Sequence, residues 1–151
     1  MTLRILWCSD APWATSGYSQ ITRQQAPAIA ALGHDVALLA TFGLHGGAQE
    51  WNGLRVFPGG ADAFANDVIG ISAQDWHADI VITLKDSFVF QPQAFQGLRW
   101  TPMIPVDHEP LAPSIAQICH NCYRPIAYAP NGFRELRKAG FDPLYAPHSF
   151  D

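Results

Sequence analysis

Leu3-Arg4-Ile5-Leu6-Trp7-Cys8 opens the stretch that decides the fold, which extends from Met1 to Thr41. This short run is mostly apolar, as in a parallel strand that is buried on both faces of a sheet. It is followed by Ser9-Asp10-Ala11-Pro12-Trp13-Ala14-Thr15-Ser16-Gly17, which combines small, polar and turn-forming residues. Residues 3–8 therefore predict a first strand, and residues 9–17 predict the loop that leaves it.

A helix and a second strand complete this unit. Residues from Tyr18 to Leu32 predict a helix with one apolar face, and Gly33 suits the left-handed conformation that ends many helices. The apolar run 36–40 then predicts a second buried strand. Two parallel strands joined by a helix form a right-handed β-α-β unit, whose ligands bind where the loop meets the helix. Ser16 and Gly17 are therefore predicted to lie at the ligand-facing crest of the sheet.

Length and composition restrict the class of protein. The chain has 151 residues, of which 48% are apolar and 15% are charged, as expected of one globular domain. The net charge of −4 and the absence of a basic run argue against nucleic-acid binding. No apolar run is long enough to cross a membrane, and the N-terminus lacks a signal-peptide pattern. Three cysteines without a regular framework suit a reducing compartment, so we expect a cytoplasmic protein.

The rest of the chain continues the alternation of strands and helices. Further strands are predicted at residues 53–58, 79–84, 100–106, 125–129 and 143–148. Further helices are predicted at residues 63–74, with Asp62 as N-cap, and at residues 92–96, 113–122 and 131–140. This order predicts one α/β domain over residues 1–151, a doubly wound, mostly parallel, Rossmann-like sheet with helices on both faces. The prolines within residues 100–106 favour an edge or a bulge for that strand.

The spacing Cys119-His120-Asn121-Cys122 matches the C-x-x-C pattern of redox and zinc sites. It falls at the end of a predicted helix, whereas a reactive thiolate is favoured at a helix N-terminus. No second pair of this kind is present to complete a zinc site. The sequence also lacks the glycine-rich fingerprints of dinucleotide and triphosphate sites. These patterns therefore predict neither a metal or redox centre nor a nucleotide loop of either kind.

Four segments carry a resemblance to a known family. They are Thr15-Ser16-Gly17-Tyr18, Leu32-Gly33-His34-Asp35-Val36, Asp107-His108-Glu109-Pro110 and the region from Asn131 to Asp151, which ends in Tyr145-Ala146-Pro147-His148-Ser149-Phe150-Asp151. In this order the chain resembles, over essentially its whole length, the N-terminal domain of GT-B glycosyltransferases of family 4, also called group 1. The resemblance implies one half of a GT-B fold, with the C-terminal, nucleotide-sugar-binding domain expected to be absent. Ser149 departs from the family pattern, which usually has glycine there.

The resemblance also implies where the site residues lie. The implied catalytic residues are His108, Asp107 and Glu109. The residues expected to bind the donor diphosphate or the acceptor are Ser16, Gly17, Tyr18 and Asp86, of which Asp86 is chosen because it follows a predicted strand. His108 would hydrogen-bond the transferred sugar, and a neighbouring carboxylate would act as a base toward the acceptor hydroxyl. Structural roles stay open for the same residues: a histidine that bridges loops, a carboxylate that caps the helix from Pro113, a glycine that permits a tight turn, and an ion pair between Lys85 and Asp86.

The function implied by the resemblance is transfer of a sugar, of hexosyltransferase type, from a nucleotide sugar to an acceptor hydroxyl. The nucleotide sugar would be a substrate, no metal or other cofactor is expected, and the chain alone is expected to be inactive without a second domain. The alternative is a stand-alone, non-catalytic module that binds a sugar, a nucleotide or a protein, with a homodimer as one arrangement. A third interpretation is a phosphoryl-transfer domain, in which Asp10 and Asp86 would form a carboxylate pair.

Overall fold

The computed structural model describes residues 1–148. The end of the C-terminal motif, Ser149-Phe150-Asp151, lies outside the described residues. The strands are β1 (Arg4–Asp10), β2 (Asp35–Phe42), β3 (Gln49–Trp51), β4 (Leu54–Phe57), β5 (Ile80–Leu84), β6 (Trp100–Ile104), β7 (Ile126–Ala127) and β8 (Leu144–Tyr145). The helices are α1 (Gly17–Ala31), α2 (Ile69–Trp76), α3 (Pro113–Asn121) and α4 (Pro130–Lys138), with short 3-10 helices at Ser87–Val89 and Pro92–Phe95.

The eight strands form one sheet in the order β3-β4-β2-β1-β5-β6-β7-β8. Neighbouring strands are parallel except β3 and β4, which form an antiparallel hairpin. From β1 the chain adds β2 and β4 on one side and then crosses to β5 on the other. The predicted doubly wound, mostly parallel, Rossmann-like sheet is therefore confirmed. Because the direction of strand addition reverses between β1 and β5, a topological switch point lies there.

Helices cover both faces of the sheet. Successive side chains of a strand point to opposite faces, so neighbouring residues of β1 belong to separate cores. Trp7 packs in the core that includes Ile21 of α1. Cys8 packs in the other core, to which the remaining three helices contribute Ile69, Ile118 and Leu136. Within residues 1–148, no helix has the length and apolar content that a membrane span requires.

Two elements in the first half of the chain differ from the sequence prediction. The helix expected over residues 63–74 begins only at Ile69. The carboxylate of Asp62 accepts the backbone N–H groups of Phe64 at 2.8 Å and Asn66 at 3.1 Å, which stabilises a turn instead. The prediction also lacks β3, which pairs with β4 through a two-residue turn at residues 52–53, both with positive φ.

Strand β6 lies inside the sheet, between β5 and β7, so the expectation that its prolines place it at an edge is wrong. The carbonyl of Trp100 accepts a hydrogen bond from the N–H of Tyr123, just before β7. Because alternate residues of a strand present their N–H and C=O groups to the same side, the nitrogen of Pro102 also faces β7. β7 pairs only with Met103 and Ile104, so the missing N–H of Pro102 interrupts no bond between these strands.

Candidate functional site

The loops after β1, β5 and β6 meet at the carboxyl ends of the strands around the switch point. In doubly wound sheets, ligands bind in the crevice at this position. This surface, called the crest below, consists of residues 10–18, 85–88 and 105–109. It contains all seven of the predicted site residues.

Ser16 is the N-cap of α1 and forms a capping box with Ser19. Its hydroxyl accepts the Ser19 N–H at 3.1 Å and donates to a carboxylate oxygen of Asp10 at 2.6 Å, while the Ser19 hydroxyl accepts the Ser16 N–H at 3.2 Å. The Ser16 hydroxyl is therefore engaged within the protein. A Cβ placed on Gly17 would meet only open space, so packing within the chain does not require glycine there.

Replacing Ser16 with alanine is expected to lower the free energy of unfolding by roughly 1–2 kcal/mol, at the upper end of what N-cap removal costs. The change removes an N-cap and also one hydrogen bond to the buried Asp10 carboxylate. Urea unfolding followed by circular dichroism measures the difference. Replacing the exposed neighbour Thr15 with alanine is the matched control, and equal stabilities of the two variants would contradict this assignment.

Asp10, at the end of β1, is buried and fully engaged by the protein. Its carboxylate lies 2.5 Å from the Lys85 ammonium, accepts the Ser16 hydroxyl, and receives a longer bond of 3.4 Å from the Thr41 hydroxyl. The ion pair between Lys85 and Asp86, one of the structural roles left open by the sequence, does not form, because Lys85 binds Asp10 instead. Asp10 is unavailable for the carboxylate pair of the phosphoryl-transfer interpretation. Among residues 1–148, no three His, Cys, Asp or Glu side chains cluster in a way that could hold a metal ion.

Asp86 is exposed and is bound by a tyrosine. The phenol of Tyr18 donates to its carboxylate at 3.0 Å. Burial, followed by this hydrogen bond, raises the pKa of Tyr18 above its ordinary value, so the phenol stays protonated. Burial also raises the pKa of Tyr128 to about 12, with further contributions from Asp86 and then Asp107. The carboxylates that follow β5 and β6 therefore act on the same region of the crest.

His108 and Asp107 form a pair in the loop after β6. The ring Nδ1 of His108 lies 2.5 Å from a carboxylate oxygen of Asp107, and both side chains are exposed. A carboxylate at one ring nitrogen orients the imidazole, which leaves Nε2 to meet a ligand. The adjacent Glu109 is exposed, and its charge acts on Lys138 of α4, whose pKa is raised mainly by a hydrogen bond to Glu135.

A cavity of about 170 Å³ opens between the loops after β5 and β6 and the start of α3. It is lined by Asp86, Ser87, Phe88, Pro105, Asp107, His108, Ala112, Ser114 and Ile115. Ser87 is only 1% exposed, and its hydroxyl has no hydrogen-bond partner within the part of the chain that the structure describes. A buried hydroxyl without a partner is rare, and this one lies beneath the surface of the cavity rather than open to it.

The structure therefore brings Asp86, Asp107 and His108 together and leaves Glu109 outside the cavity lining. Ser87 was not among the predicted site residues, although a serine in the loop after a buried strand and beside Asp86 was a usable signal. Its burial depends on α3, which packs over the turn that contains it. A contact of this kind is set by the packing of two elements that are distant in sequence.

The C-x-x-C pair lies at the C-terminal end of α3, as predicted. Burial raises the pKa of Cys119 to about 12 and that of Cys122 to about 11, so both remain protonated thiols near neutral pH. Thiols in this state are poor nucleophiles and poor metal ligands. Both cysteines are also free rather than joined in a disulfide.

The fold and the switch-point crest define a Rossmann-like α/β protein with a polar site at the carboxyl edge of its sheet. No protein-family model matches the chain, and no curated protein sequence matches it either. Many unrelated activities share this type of fold, so function has to be argued from the site itself.

Proposed function

We propose that the crest is the acceptor-binding side of a glycosyltransferase, which transfers a sugar from a nucleotide sugar to an acceptor hydroxyl. The observation that carries this proposal is the crest cavity, which combines Asp86, the Asp107–His108 pair and Ser114 in its lining. Carboxylates, imidazole and hydroxyl groups match the many hydroxyl donors and acceptors of a sugar. The motif resemblance supports the same assignment.

The charges of the crest favour an acceptor over a diphosphate. Lys85 is neutralised by Asp10, which leaves the carboxylates of Asp86 and Asp107 without a lysine or arginine partner among residues 1–148. Two carboxylates repel a diphosphate, so these residues suit a hydroxyl-rich acceptor. The Ser16 hydroxyl is already engaged. The donor diphosphate is therefore assigned to a second domain that faces the crest.

In this role the Asp107–His108 pair interacts with the reacting hydroxyl groups. Asp107 orients the imidazole through Nδ1, and Nε2 either hydrogen-bonds the transferred sugar or accepts the proton of the acceptor hydroxyl. The acceptor oxygen forms a bond to the anomeric carbon, while the bond from that carbon to the nucleoside diphosphate breaks and its electrons leave with the diphosphate. Closure of a second domain over the exposed pair would remove water from this step.

The test is a transfer assay with the protein at its full natural length, radiolabelled nucleotide sugars and a panel of hydroxyl acceptors. Acceptor-dependent release of nucleoside diphosphate is the expected result. Replacing His108 with alanine is expected to lower kcat/KM about tenfold, as for loss of one hydrogen bond that carries partial charge. His120→Ala, on the exposed end of α3, is the matched control and is expected to retain activity.

Two results would contradict the proposal. One is unchanged kcat/KM in the His108→Ala variant, because the imidazole would then have no role in transfer. The other is ligand binding at the crest without any transfer by the full-length protein, which would instead favour a non-catalytic binding module.

A further inference from the structure

Asn52 and Gly53 form the two-residue turn between β3 and β4, at one edge of the sheet. Both residues are exposed, and their φ values of 48° and 77° are those of the type I′ turns that asparagine and glycine favour. Within residues 1–148, the Asn52 side chain has no hydrogen-bond partner, and a Cβ placed on Gly53 would meet only open space. The Asn52 amide and the peptide bond that follows it are therefore open to water.

The same dipeptide, Asn131-Gly132, stands in the first turn of α4, where the protein holds both residues. Asn131 is half-buried, and its amide oxygen accepts the Arg134 guanidinium at 3.2 Å. Gly132 is buried, and a Cβ built on it would lie only 3.2 Å from the side chain of Val106. The helix is anchored further by Leu136, which is fully buried. The chain has these two Asn-Gly pairs and no others, so it presents one chemical group in an open and in a packed setting.

We infer that Asn52 is a site of spontaneous deamidation, a covalent modification whose only co-reactant is water. The backbone nitrogen of Gly53 attacks the side-chain Cγ of Asn52. The new N–Cγ bond forms while the Cγ–Nδ2 bond breaks, and the amide group leaves as ammonia with the proton of the Gly53 nitrogen. Water then opens the resulting five-membered succinimide at either carbonyl, which leaves aspartate or isoaspartate. Glycine favours the attack because it has no side chain to shield its nitrogen.

Local structure decides which of the two pairs reacts. Ring closure needs backbone angles outside both the helical and the left-handed regions, so the chain has to open locally at either position. Strand β3 has three residues and pairs with β4 alone, so opening its turn breaks little structure. Opening the first turn of α4 would disturb the packing of Gly132 on Val106. Segments with few buried contacts open at a lower free energy, and Asn52 therefore reacts first.

The modification has a consequence for the hairpin. Isoaspartate places an additional carbon atom in the main chain, which the two-residue turn does not accommodate. Because β3 lies at the edge of the sheet and has no second neighbouring strand, isoaspartate at position 52 is expected to release it from β4. Trp51 of β3 is half-buried against one of the two cores and is exposed by this release.

The experiment is incubation of the full chain at neutral to mildly alkaline pH, followed by peptide mapping with mass spectrometry. Asn52 is expected to deamidate at least about tenfold faster than Asn131 in the folded chain, because its turn opens more easily. In urea, where neither pair is structured, the two rates are expected to converge. Amide hydrogen exchange of residues 49–51 is expected to accelerate as isoaspartate accumulates. Asn52→Gly is the matched control, because two glycines also favour this turn and the reactive amide is gone.

Equal rates at Asn52 and Asn131 in the folded chain would overturn the inference, because the structure would then not select the site. Deamidation of Asn52 in urea alone would overturn it as well, since the hairpin would then protect its own turn. Unchanged exchange of residues 49–51 in the isoaspartate form would reject the release of β3. The comparison of the two pairs within the wild-type chain needs no variant to fold. It is also independent of the proposed transfer function, because the turn precedes β4 and so lies at the edge of the sheet opposite the crest.

Discussion

Replacing Trp100 with alanine is expected to lower the free energy of unfolding by about 4 kcal/mol, within the ~3–5 kcal/mol typical of aromatic truncations in cores. Trp100 is fully buried, and its ring stacks on Phe95 with centroids 4.0 Å apart and meets the edge of Phe90 at 6.3 Å. Its indole N–H donates to the hydroxyl of Thr83 at 2.9 Å. The substitution therefore opens a cavity and leaves the buried Thr83 hydroxyl without this partner.

Chemical denaturation of the wild type and two further variants separates these contributions. Trp100→Phe retains an aromatic ring but loses the N–H, and it is expected to cost about 1–2 kcal/mol. Trp13→Ala is the matched control, because Trp13 is 40% exposed and is expected to change stability by less than about 1 kcal/mol. A loss in Trp100→Ala no larger than that of the control would show that the aromatic cluster does not stabilise the domain.

Replacing Asp10 with alanine is expected to cost about 3 kcal/mol, because removing one partner of a buried ion pair leaves the other charge without compensation. The Asp10 side chain is 3% exposed and that of Lys85 is 16% exposed, so the lysine cannot regain full hydration in place. The same change removes the acceptor of the Ser16 hydroxyl at the start of α1. The loop after β1 and the N-terminus of α1 are therefore expected to lose order together.

Thermal and urea unfolding measure this loss, and hydrogen exchange at residues 11–18 measures its location. Asp35→Ala is the matched control, because Asp35 pairs with Arg4 at the surface, where a single ion pair contributes about 1 kcal/mol or less. The double variant Asp10→Ala with Lys85→Met is expected to recover part of the stability, since it removes the uncompensated charge. Equal effects of Asp10→Ala and Asp35→Ala would contradict a structural role for the buried pair.

Local sequence patterns were sufficient to predict most of the strands of the sheet. The apolar run that became β1 and the helix that ends before Gly33 are close to their predicted bounds, and Gly33 has the expected positive φ. Prediction was weaker where two local signals compete. An aspartate such as Asp62 can cap a helix or stabilise a turn. Here its carboxylate accepts hydrogen bonds from the backbone N–H groups of Phe64 and Asn66, and these bonds stabilise a turn. The prolines of β6 suggested an edge strand, because a proline inside a sheet usually costs a hydrogen bond. They cost none here, since β7 pairs only with the end of β6, and the sequence of β6 does not reveal where β7 begins.

The candidate site was also only partly predictable from the sequence. Residues in the loops that follow predicted strands, such as Ser16, Asp86 and His108, could be assigned to one edge of the sheet, because the carboxyl ends of parallel strands lie together. Which of them share a cavity depends on the loops between them and on the position of α3. Glu109 follows the same strand as His108 but does not line the cavity, whereas Ser87 does.

The sequence by itself determined the order of strands and helices apart from β3, the doubly wound class and the edge at which polar residues collect, because these follow from local periodicity and chain direction. Only the tertiary structure decided which side chains bind one another. Lys85 and Asp86 are neighbours in sequence, yet they have different partners. Strand β1 pairs with β5 so that Cys8 lies opposite Thr83, and the same register two residues further on places Asp10 opposite Lys85. Lys85 therefore binds the carboxylate of Asp10 across the strands, while Asp86 accepts the phenol of Tyr18 and lines the crest cavity.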